Sequence, residues 1–451
     1  MGALDKRLEA LLQDRKAKNR FRSLKEYNTS TSSELVDFSS NDYLSLTSSS
    51  ELRQEYLKRL AASPHILGST GSRLLSGGTS AHSALESRFS SFFDSPAALL
   101  FNSGWDANVS FFGTVPQSSD WVVYDELVHA SVHSGMRASR VRPERRIPFR
   151  HNDPDALREV LLRIRRKEDA GPSSSTKQEG VIFLALESLY SMDGDLACLP
   201  AFLDVMDEVV PRDRQCVVLD EAHSTGVYGS GGRGVGHAIG EAGDGRVGVR
   251  LMTFGKAVGS SGAVLLCSPV IRSFLINFAR PLIFSTAIPH STLISLECAW
   301  DLLQSTDGDQ RRDKLMSLSS NFHALVRPIL ARTPRSTLSL PPAAAAPFAS
   351  ARQRHPTLPA DPFSPIIGLL TPRPHALSAF LLERGLVVRP VVPPTVPPGG
   401  ERVRICLRAD MGMEVVERLV KALEAWADQE RAGGVGRGTA GVQQVQLRGR
   451  L

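Results

Sequence analysis

Short apolar runs alternate with longer amphipathic stretches through the first part of the chain. The runs, rich in Val, Leu and Phe, are Ala97–Asn102, Trp121–Tyr124, Val181–Glu187, Cys216–Asp220, Leu251–Phe254 and Ala263–Cys267. Continuous rather than alternating apolar runs are typical of strands that are buried on both faces of a parallel sheet. The pattern therefore predicts a doubly wound α/β unit with a mostly parallel sheet between about Phe38 and Ser268.

The pattern changes beyond about Pro289. Helical periodicity over Leu293–Leu303 and Leu315–Leu330 leads into a Pro-, Ala- and Arg-rich stretch, Thr333–Pro365, which we predict to be a flexible excursion outside the core. Beyond this stretch, predicted strands and helices indicate a smaller α+β unit. Its elements are Ile366–Leu370, Ala376–Arg384, Leu386–Arg389, Val403–Leu407 and Met413–Glu430.

The length predicts at least two domains, because one hydrophobic core seldom organises more than about 250–300 residues and this chain has 451. Loop composition marks two surface inserts, Lys167–Gly180 and Gly236–Gly248. The expected parts are an N-terminal helical arm at 1–37, a large domain at 38–290, a small domain at 291–430 and a disordered tail at 431–451.

The composition is that of a globular protein. Hydrophobic residues make up 42% and charged residues 22%, which excludes disordered, collagen-like and membrane-spanning classes. The net charge of +6 fits an enzyme with anionic ligands as well as a nucleic-acid-binding protein. The N-terminus lacks the apolar core of a signal peptide, and five scattered cysteines favour a reducing compartment. We expect a cytoplasmic protein; Gly449–Leu451 weakly resembles the peroxisomal S-K-L address, which leaves the peroxisomal matrix as the alternative.

The segment Asp220–His223 follows an apolar run and reads Asp-Glu-Ala-His. One interpretation is a DEAH-type ATPase, which requires a phosphate loop of the form G-x-x-x-x-G-K-[ST]. The Gly255-Lys256 pair is followed by Ala257 and has Arg250 where the first glycine of such a loop should stand. The phosphate loop is therefore missing from the sequence, and we reject the ATPase interpretation.

Lys256 favours a different chemistry. It follows an apolar run and lies among small residues, where partial desolvation lowers the pKa of an amine and makes it nucleophilic. Pyridoxal phosphate (PLP) enzymes need such a lysine for a Schiff base and a partner for the pyridine nitrogen. Asp220 is a suitable carboxylate, so the pair predicts a PLP enzyme.

Polar groups follow other predicted strands as well. Ser103-Gly104-Trp105 opens a predicted helix, whose first backbone amides can bind a phosphate. His129 and Ser191 follow two further runs. Because the carboxyl ends of strands in an open α/β sheet meet at one crevice, we expect these residues to share a site with Asp220 and Lys256.

Several motifs, taken in order, resemble the α-oxoamine synthases, fold-type I PLP-dependent transferases that join an amino acid to an acyl-CoA with loss of CO2. The matching segments are Phe38–Leu44, Gly68–Arg73, Gly77 with His82 and Glu86, Ser191–Asp195, Asp220–His223, Thr253–Lys256 and Phe284–Thr286. The run Pro393–Pro397 followed by Arg402–Arg404 is similar to the biotin-pathway branch, which makes 8-amino-7-oxononanoate from L-alanine and pimeloyl-CoA. Val392 and Trp105 depart from that branch, which often has Arg and a smaller aromatic residue at these positions.

The resemblance implies a role for each matched residue. Lys256 would hold the cofactor and act as the base on Cα, and Asp220 would pair with the ring nitrogen. The implied contacts to the rest of the cofactor are Ser191 and His223 at the phenolic oxygen, His129 stacked on the ring, Ser103, Gly104, Trp105 and Thr253 near the phosphate, and Ser285 and Thr286 at the neighbouring subunit's cofactor. The implied substrate-binding residues are Arg404 for the amino-acid carboxylate, Arg22 for the distal carboxylate of the acyl chain, Asn41 and Thr395.

The expected protein is therefore a homodimer with shared active sites that takes L-alanine and an acyl-CoA and has no metal, nucleic-acid or membrane partner. Sister enzymes remain as alternatives: glycine C-acetyltransferase, 5-aminolevulinate synthase, serine palmitoyltransferase or a secondary-metabolism synthase. A non-catalytic or nucleic-acid-binding protein is the alternative from another class. Lys256 and Asp220 disfavour it, as does the lack of clustered basic and aromatic residues in the sequence.

Overall fold

The structure is a computed structural model that describes residues 2–18, 20–24, 35–169, 180–243, 245–342 and 364–433. Several sequence predictions lie wholly or partly outside these residues: the middle of the Lys167–Gly180 insert, most of Thr333–Pro365, and the tail from residue 434 with its peroxisome-like end. Among the described residues, no helix is long and apolar enough to cross a membrane.

The chain alternates strands and helices. The strands are β1 Val36–Asp37, β2 Ala97–Phe101, β3 Trp121–Asp125, β4 Arg146–Phe149, β5 Ile182–Glu187, β6 Gln215–Asp220, β7 Val247–Thr253, β8 Ala263–Cys267, β9 Ile366–Leu370, β10 Leu386–Val387, β11 Arg389–Val391 and β12 Arg402–Cys406. The helices are α1 Ala3–Ala17, α2 Ser50–Ala62, α3 Ser80–Phe92, α4 Gly104–Thr114, α5 Ala130–Ala138, α6 Pro154–Asp169, α7 Leu199–Val209, α8 Val235–Ala238, α9 Pro269–Phe278, α10 Arg280–Phe284, α11 His290–Leu303, α12 Thr306–Ala331, α13 Pro374–Leu382 and α14 Met413–Gly433.

Seven strands form the central sheet in the order β2-β8-β7-β6-β5-β3-β4. In this sheet β8 runs antiparallel to both of its neighbours, β2 and β7, and the remaining pairs are parallel. Every residue of β2, β5 and β8 is buried, as expected for continuous apolar runs in a sheet covered on both faces. The predicted α/β fold with a mostly parallel sheet is confirmed. Strand β4 was not predicted from the sequence. It is a short edge strand whose Pro148 is exposed, and proline weakens a strand pattern because it cannot donate to a neighbouring strand.

A second, antiparallel sheet, β11-β12-β9, lies in the C-terminal part, and β1 pairs with β10. The run Leu386–Arg389, predicted as one strand, divides between β10 and β11, which join different sheets. One continuous hydrophobic cluster connects Phe38, Trp300 of α11 and Trp426 of α14. The predicted excursion is wrong for its first residues, because Leu338 is fully buried in this cluster and Ser339 bridges Leu370 of β9.

Candidate active site

A cavity of about 320 Å³ opens at the carboxyl ends of the parallel strands. This is where an open α/β sheet binds its ligand. Residues from α4 and from the loops after β3, β6 and β7 form its wall. The sequence-predicted residues that line it are Ser103, Gly104, Trp105, His129, Asp220, His223, Thr253 and Lys256.

Lys256 lies in the tight connection between antiparallel β7 and β8. Its Nζ is 3.0 Å from Nε2 of His223. Burial lowers the pKa of Lys256 to about 8, against the opposing effect of the Asp220 carboxylate. An amine with this pKa is partly deprotonated near neutral pH, which is the state that attacks an aldehyde or accepts a proton.

His223 connects Lys256 to the small sheet. Its Nδ1 is 2.7 Å from the hydroxyl of Tyr43, and the Tyr43 hydroxyl also accepts from Arg404 Nη2 at 3.4 Å. Burial, followed by Lys256, holds the pKa of His223 well below its ordinary value. A neutral imidazole has one N–H, so the ring donates in one of its two contacts and accepts in the other.

Arg404 of β12 is fixed by several partners. Its Nη1 and Nη2 both donate to Oδ1 of Asn41 at 3.0 Å, and its Nε donates to the backbone carbonyl of Ser191 at 2.6 Å. Arg404 is 8% exposed, and neither it nor Asn41 lines the cavity. Its N–H groups already bond protein acceptors, so a carboxylate bound to it in two places would take the position of the Asn41 Oδ1 atom.

Asp220 is oriented by donors on both oxygens. The side-chain amide of Asn108 donates to Oδ2 at 2.8 Å, and the backbone N–H of Ala222 donates to Oδ1 at 2.9 Å. Asn108 also donates to Ser131, whose hydroxyl is 2.7 Å from Nδ1 of His129. Burial lowers the pKa of His129, which favours an uncharged ring at the cavity wall.

The first turn of α4 closes another side of the cavity. Ser103 caps this helix by accepting from the backbone N–H of Asp106 at 3.0 Å. A Cβ on Gly104 would lie 2.5 Å from Cγ2 of Thr253, so only glycine lets the strand end and the helix start come this close. The exposed backbone amides of such a helix start attract a phosphate.

Other predicted residues do not line this cavity. The Ser285 hydroxyl and the Thr286 carbonyl accept from the side chain of Asn102, outside the wall described above. Ser191 lies beside the site, where its backbone carbonyl accepts a hydrogen bond from Arg404 Nε. Arg22 lies in an exposed stretch, and Thr395 is exposed in the loop after β11.

Four residues with evident site contacts were not predicted from the sequence: Tyr43, Asn108, Ser131 and Glu187. Tyr43 lies in the segment Phe38–Leu44, which resembles the α-oxoamine synthases, so the sequence did contain a signal for this residue. Asn108 and Ser131 are buried polar residues on helices, and such residues need partners. Glu187 ends an apolar strand and lines the cavity, the same signal that identified Asp220.

The comparisons with known proteins agree on one family. A family model described as aminotransferase class I and II matches residues 33–423. An 8-amino-7-oxononanoate synthase of Emericella nidulans is 40% identical over 395 residues, 87% of this chain and 89% of that protein. Aminoacyl transferase sphA of Aspergillus fumigatus is 32% identical over 400 residues, 87% of this chain and 81% of that protein. The structure of Sphingomonas wittichii serine palmitoyltransferase shares the fold with a TM-score of 0.75 at 24% identity, covering 96% of this chain and 100% of that one.

The chain therefore belongs to the aminotransferase class I and II family, and within it to the α-oxoamine synthases that its motifs resemble. It is a PLP-dependent acyltransferase, so the sequence predictions of family, enzyme class and cofactor are confirmed. The cavity fits this cofactor, because it combines the Lys256 amine, the oriented Asp220 carboxylate and the start of α4.

Proposed function

We propose that this enzyme condenses L-alanine with pimeloyl-CoA to give 8-amino-7-oxononanoate, CoA and CO2. The supporting observation is the 40% identity over 395 residues with a protein of that name, compared with 32% over 400 residues for aminoacyl transferase sphA. The same residues would serve a sister reaction with another acyl donor, so the second candidate is an aminoacyl transferase of the sphA kind.

PLP, when bound, supplies the electron sink that stabilises negative charge at the amino-acid Cα. Lys256 holds the cofactor and then takes and returns the Cα proton on its Nζ. Its pKa of about 8 suits both halves of that task, because a base works best when its pKa is near the operating pH. His223, 3.0 Å from Nζ, orients the amine, and with Ser191 it would help to hold the cofactor when it is bound.

The other site residues would orient the cofactor and the substrates and hold them in place. Asp220, fixed by Asn108, would pair with the ring nitrogen of the bound cofactor and favour its protonated form, and His129 would contact the ring. Ser103, Gly104, Trp105 and Thr253 would hold the cofactor phosphate at the start of α4. Arg404, Asn41 and Thr395 bind the amino acid, and Arg22 binds the far carboxylate of the acyl chain.

We also propose a homodimer in which Ser285 and Thr286 reach the cofactor of the partner subunit. The support is a set of exposed apolar side chains on this side of the molecule: Phe284 is 73% exposed, Leu75 is 79% exposed and Leu67 is 75% exposed. Thr286 bridges Ser72 in the same region. The mass of the purified protein in solution tests this proposal, since a monomer at micromolar concentration would refute it.

The substrate assignment is tested by CoA release with alanine, glycine and serine against pimeloyl-, acetyl-, succinyl- and palmitoyl-CoA. The expected result is the highest kcat/KM for alanine with pimeloyl-CoA. A preference for palmitoyl-CoA or another long acyl chain would replace this assignment by the second candidate without changing the reaction class.

A further inference from the structure

Three neighbouring strands of the central sheet end in an acidic residue. In sheet order, β6 ends at Asp220, β5 at Glu187 and β3 at Asp125. Adjacent strands lie about 4.7–4.9 Å apart, and Glu187 is the direct register partner of Asp220. The three residues are 7%, 5% and 0% exposed, in that order. Buried carboxylates each need a compensating partner, so the partners decide which of the three is ionised.

The two outer carboxyl groups have partners. Both oxygens of Asp125 lie near Nδ1 of His151, at 2.9 and 3.1 Å. Burial lowers the pKa of His151, but its bonds to Asp125 and Asp195 outweigh burial and raise the pKa to about 10. His151 is therefore an imidazolium that balances Asp125. Asp220 accepts one bond on each oxygen.

The middle carboxyl group lacks such partners. Oε1 of Glu187 is buried and has no hydrogen-bond partner among the described residues. The backbone amide of His129 lowers the pKa of this carboxyl group, but it is the last and smallest of the effects on it. Burial first, and then Asp220, raise the pKa of Glu187 well above its ordinary value, with Asp125 adding to the rise and Lys256 opposing it. Tyr190 is also buried and interacts with Glu187, and the uncharged rings of His129 and His223 line the same cavity.

We propose that Glu187 stands in the cofactor cavity as a neutral carboxylic acid, so that Asp220 is the one carboxylate anion among the described residues that line the cavity beside Lys256. In this role Glu187 is a positioning residue, because it influences the chemistry only through the charge states of Asp220 and Lys256. A second anion beside Lys256 would stabilise the ammonium form over the reactive amine. The inference rests on the proposed pairing of Asp220 with the ring nitrogen.

Infrared difference spectroscopy on the holoenzyme tests the protonation directly. The wild-type minus Glu187→Gln spectrum at pH 7 should show the carbonyl stretch of a protonated carboxylic acid, shifted in D2O. The matched control is Glu208→Gln, because Glu208 is exposed, pairs with Arg158 and has a lowered pKa; this control should show only carboxylate bands. Carboxylate bands alone for Glu187→Gln would overturn the proposal.

The pH titration of the visible absorbance of the lysine-bound cofactor gives a second readout. Glutamine copies the shape of a neutral glutamic acid, so the midpoint should stay within about 0.3 pH units, which is a factor of two in the proton equilibrium. If Glu187 were ionised, removing its charge would move the midpoint clearly to lower pH, which would overturn the proposal.

Failure of the underlying assignment gives a different pattern. If Asp220 did not pair with the cofactor, Asp220→Asn would keep the wild-type cofactor affinity and absorbance. The infrared band of Glu187 reports on its own proton whatever the outcome of that variant, so the two failures are distinguishable.

Discussion

The two ends of the proposed substrate path are built very differently. Arg404, proposed for the amino-acid carboxylate, is 8% exposed and bonds Asn41 and the Ser191 carbonyl. Arg22, proposed for the far end of the acyl chain, lies in the exposed stretch 20–24 beside Leu24, whose exposed fraction is 101%. The first end is organised by the fold before any ligand binds, and the second has no such support from the described residues.

This difference separates reaction type from substrate choice. Groups held by packing and hydrogen bonds perform chemistry that depends on exact placement. Residues without that support can move to fit a ligand, and they can be substituted without disturbing the core. We therefore expect substitutions at the Lys256 and Arg404 end to affect every acyl donor, and substitutions at Arg22 to affect only some.

The largest effect is expected for Lys256→Ala. The variant should lose the visible absorbance of the lysine-bound cofactor and at least about a thousandfold in kcat, because it removes both the covalent anchor and the base. Absorbance spectra after reconstitution with PLP and CoA release measure both. The control is Lys58→Ala, since Lys58 has a side chain that is 78% exposed. An unchanged spectrum in Lys256→Ala would refute the assignment.

Arg404→Lys should have the next largest effect. The lysine keeps the charge but loses the two-point geometry and leaves Asn41 without its donors. We expect kcat/KM for alanine to fall about a hundredfold with every acyl-CoA, which is within the range for disrupting a buried charged pair. Steady-state kinetics measure this, and thermal unfolding checks that the variant folds. A loss limited to one acyl donor would contradict the expectation that the Arg404 end of the substrate path serves every acyl donor.

The same difference explains what the sequence could predict. Asp220 ends an apolar strand, Lys256 follows one and Ser103 caps a helix, and these local signals were enough to predict that the three residues share a site. The contact of Tyr43 with His223 joins residues 180 positions apart, and no local pattern reports it. The run that forms β8 was predicted, but its antiparallel direction was not, because this run is as continuously apolar as those of the parallel strands.

Burial of Leu338 was missed for a related reason. It lies among serines, threonines and prolines, in front of a run of alanines, so composition indicated a loop. In the structure Leu338 fills the core beside β9, with Leu340 packed against the same cluster, and Ser339 pairs with Leu370. Packing of a single side chain against a distant strand is not visible in a composition window.

Tyr43→Phe should reduce kcat by about fivefold, the size expected for one net hydrogen bond. The hydroxyl is 2.7 Å from His223 Nδ1 and accepts from Arg404, so its loss loosens the ring that orients Lys256. The effect should be equal for all acyl donors, because the contact lies at the organised end. Tyr56→Phe, on helix α2, is the control. Wild-type kcat in Tyr43→Phe would show that His223 needs no partner on Nδ1.

Arg22→Gln should have the smallest effect and the most selective one. An exposed ion pair contributes up to about 1 kcal/mol, so KM for pimeloyl-CoA should rise about three- to fivefold, while KM for acetyl- and palmitoyl-CoA stays unchanged because those chains lack a distal carboxylate. Arg20→Gln, in the same exposed stretch, is the matched control. An equal rise for all donors would assign Arg22 to the CoA moiety, and no rise for any donor would remove it from the acyl path. Either result would leave the chemistry at Lys256 intact and move the choice of acyl group to other residues.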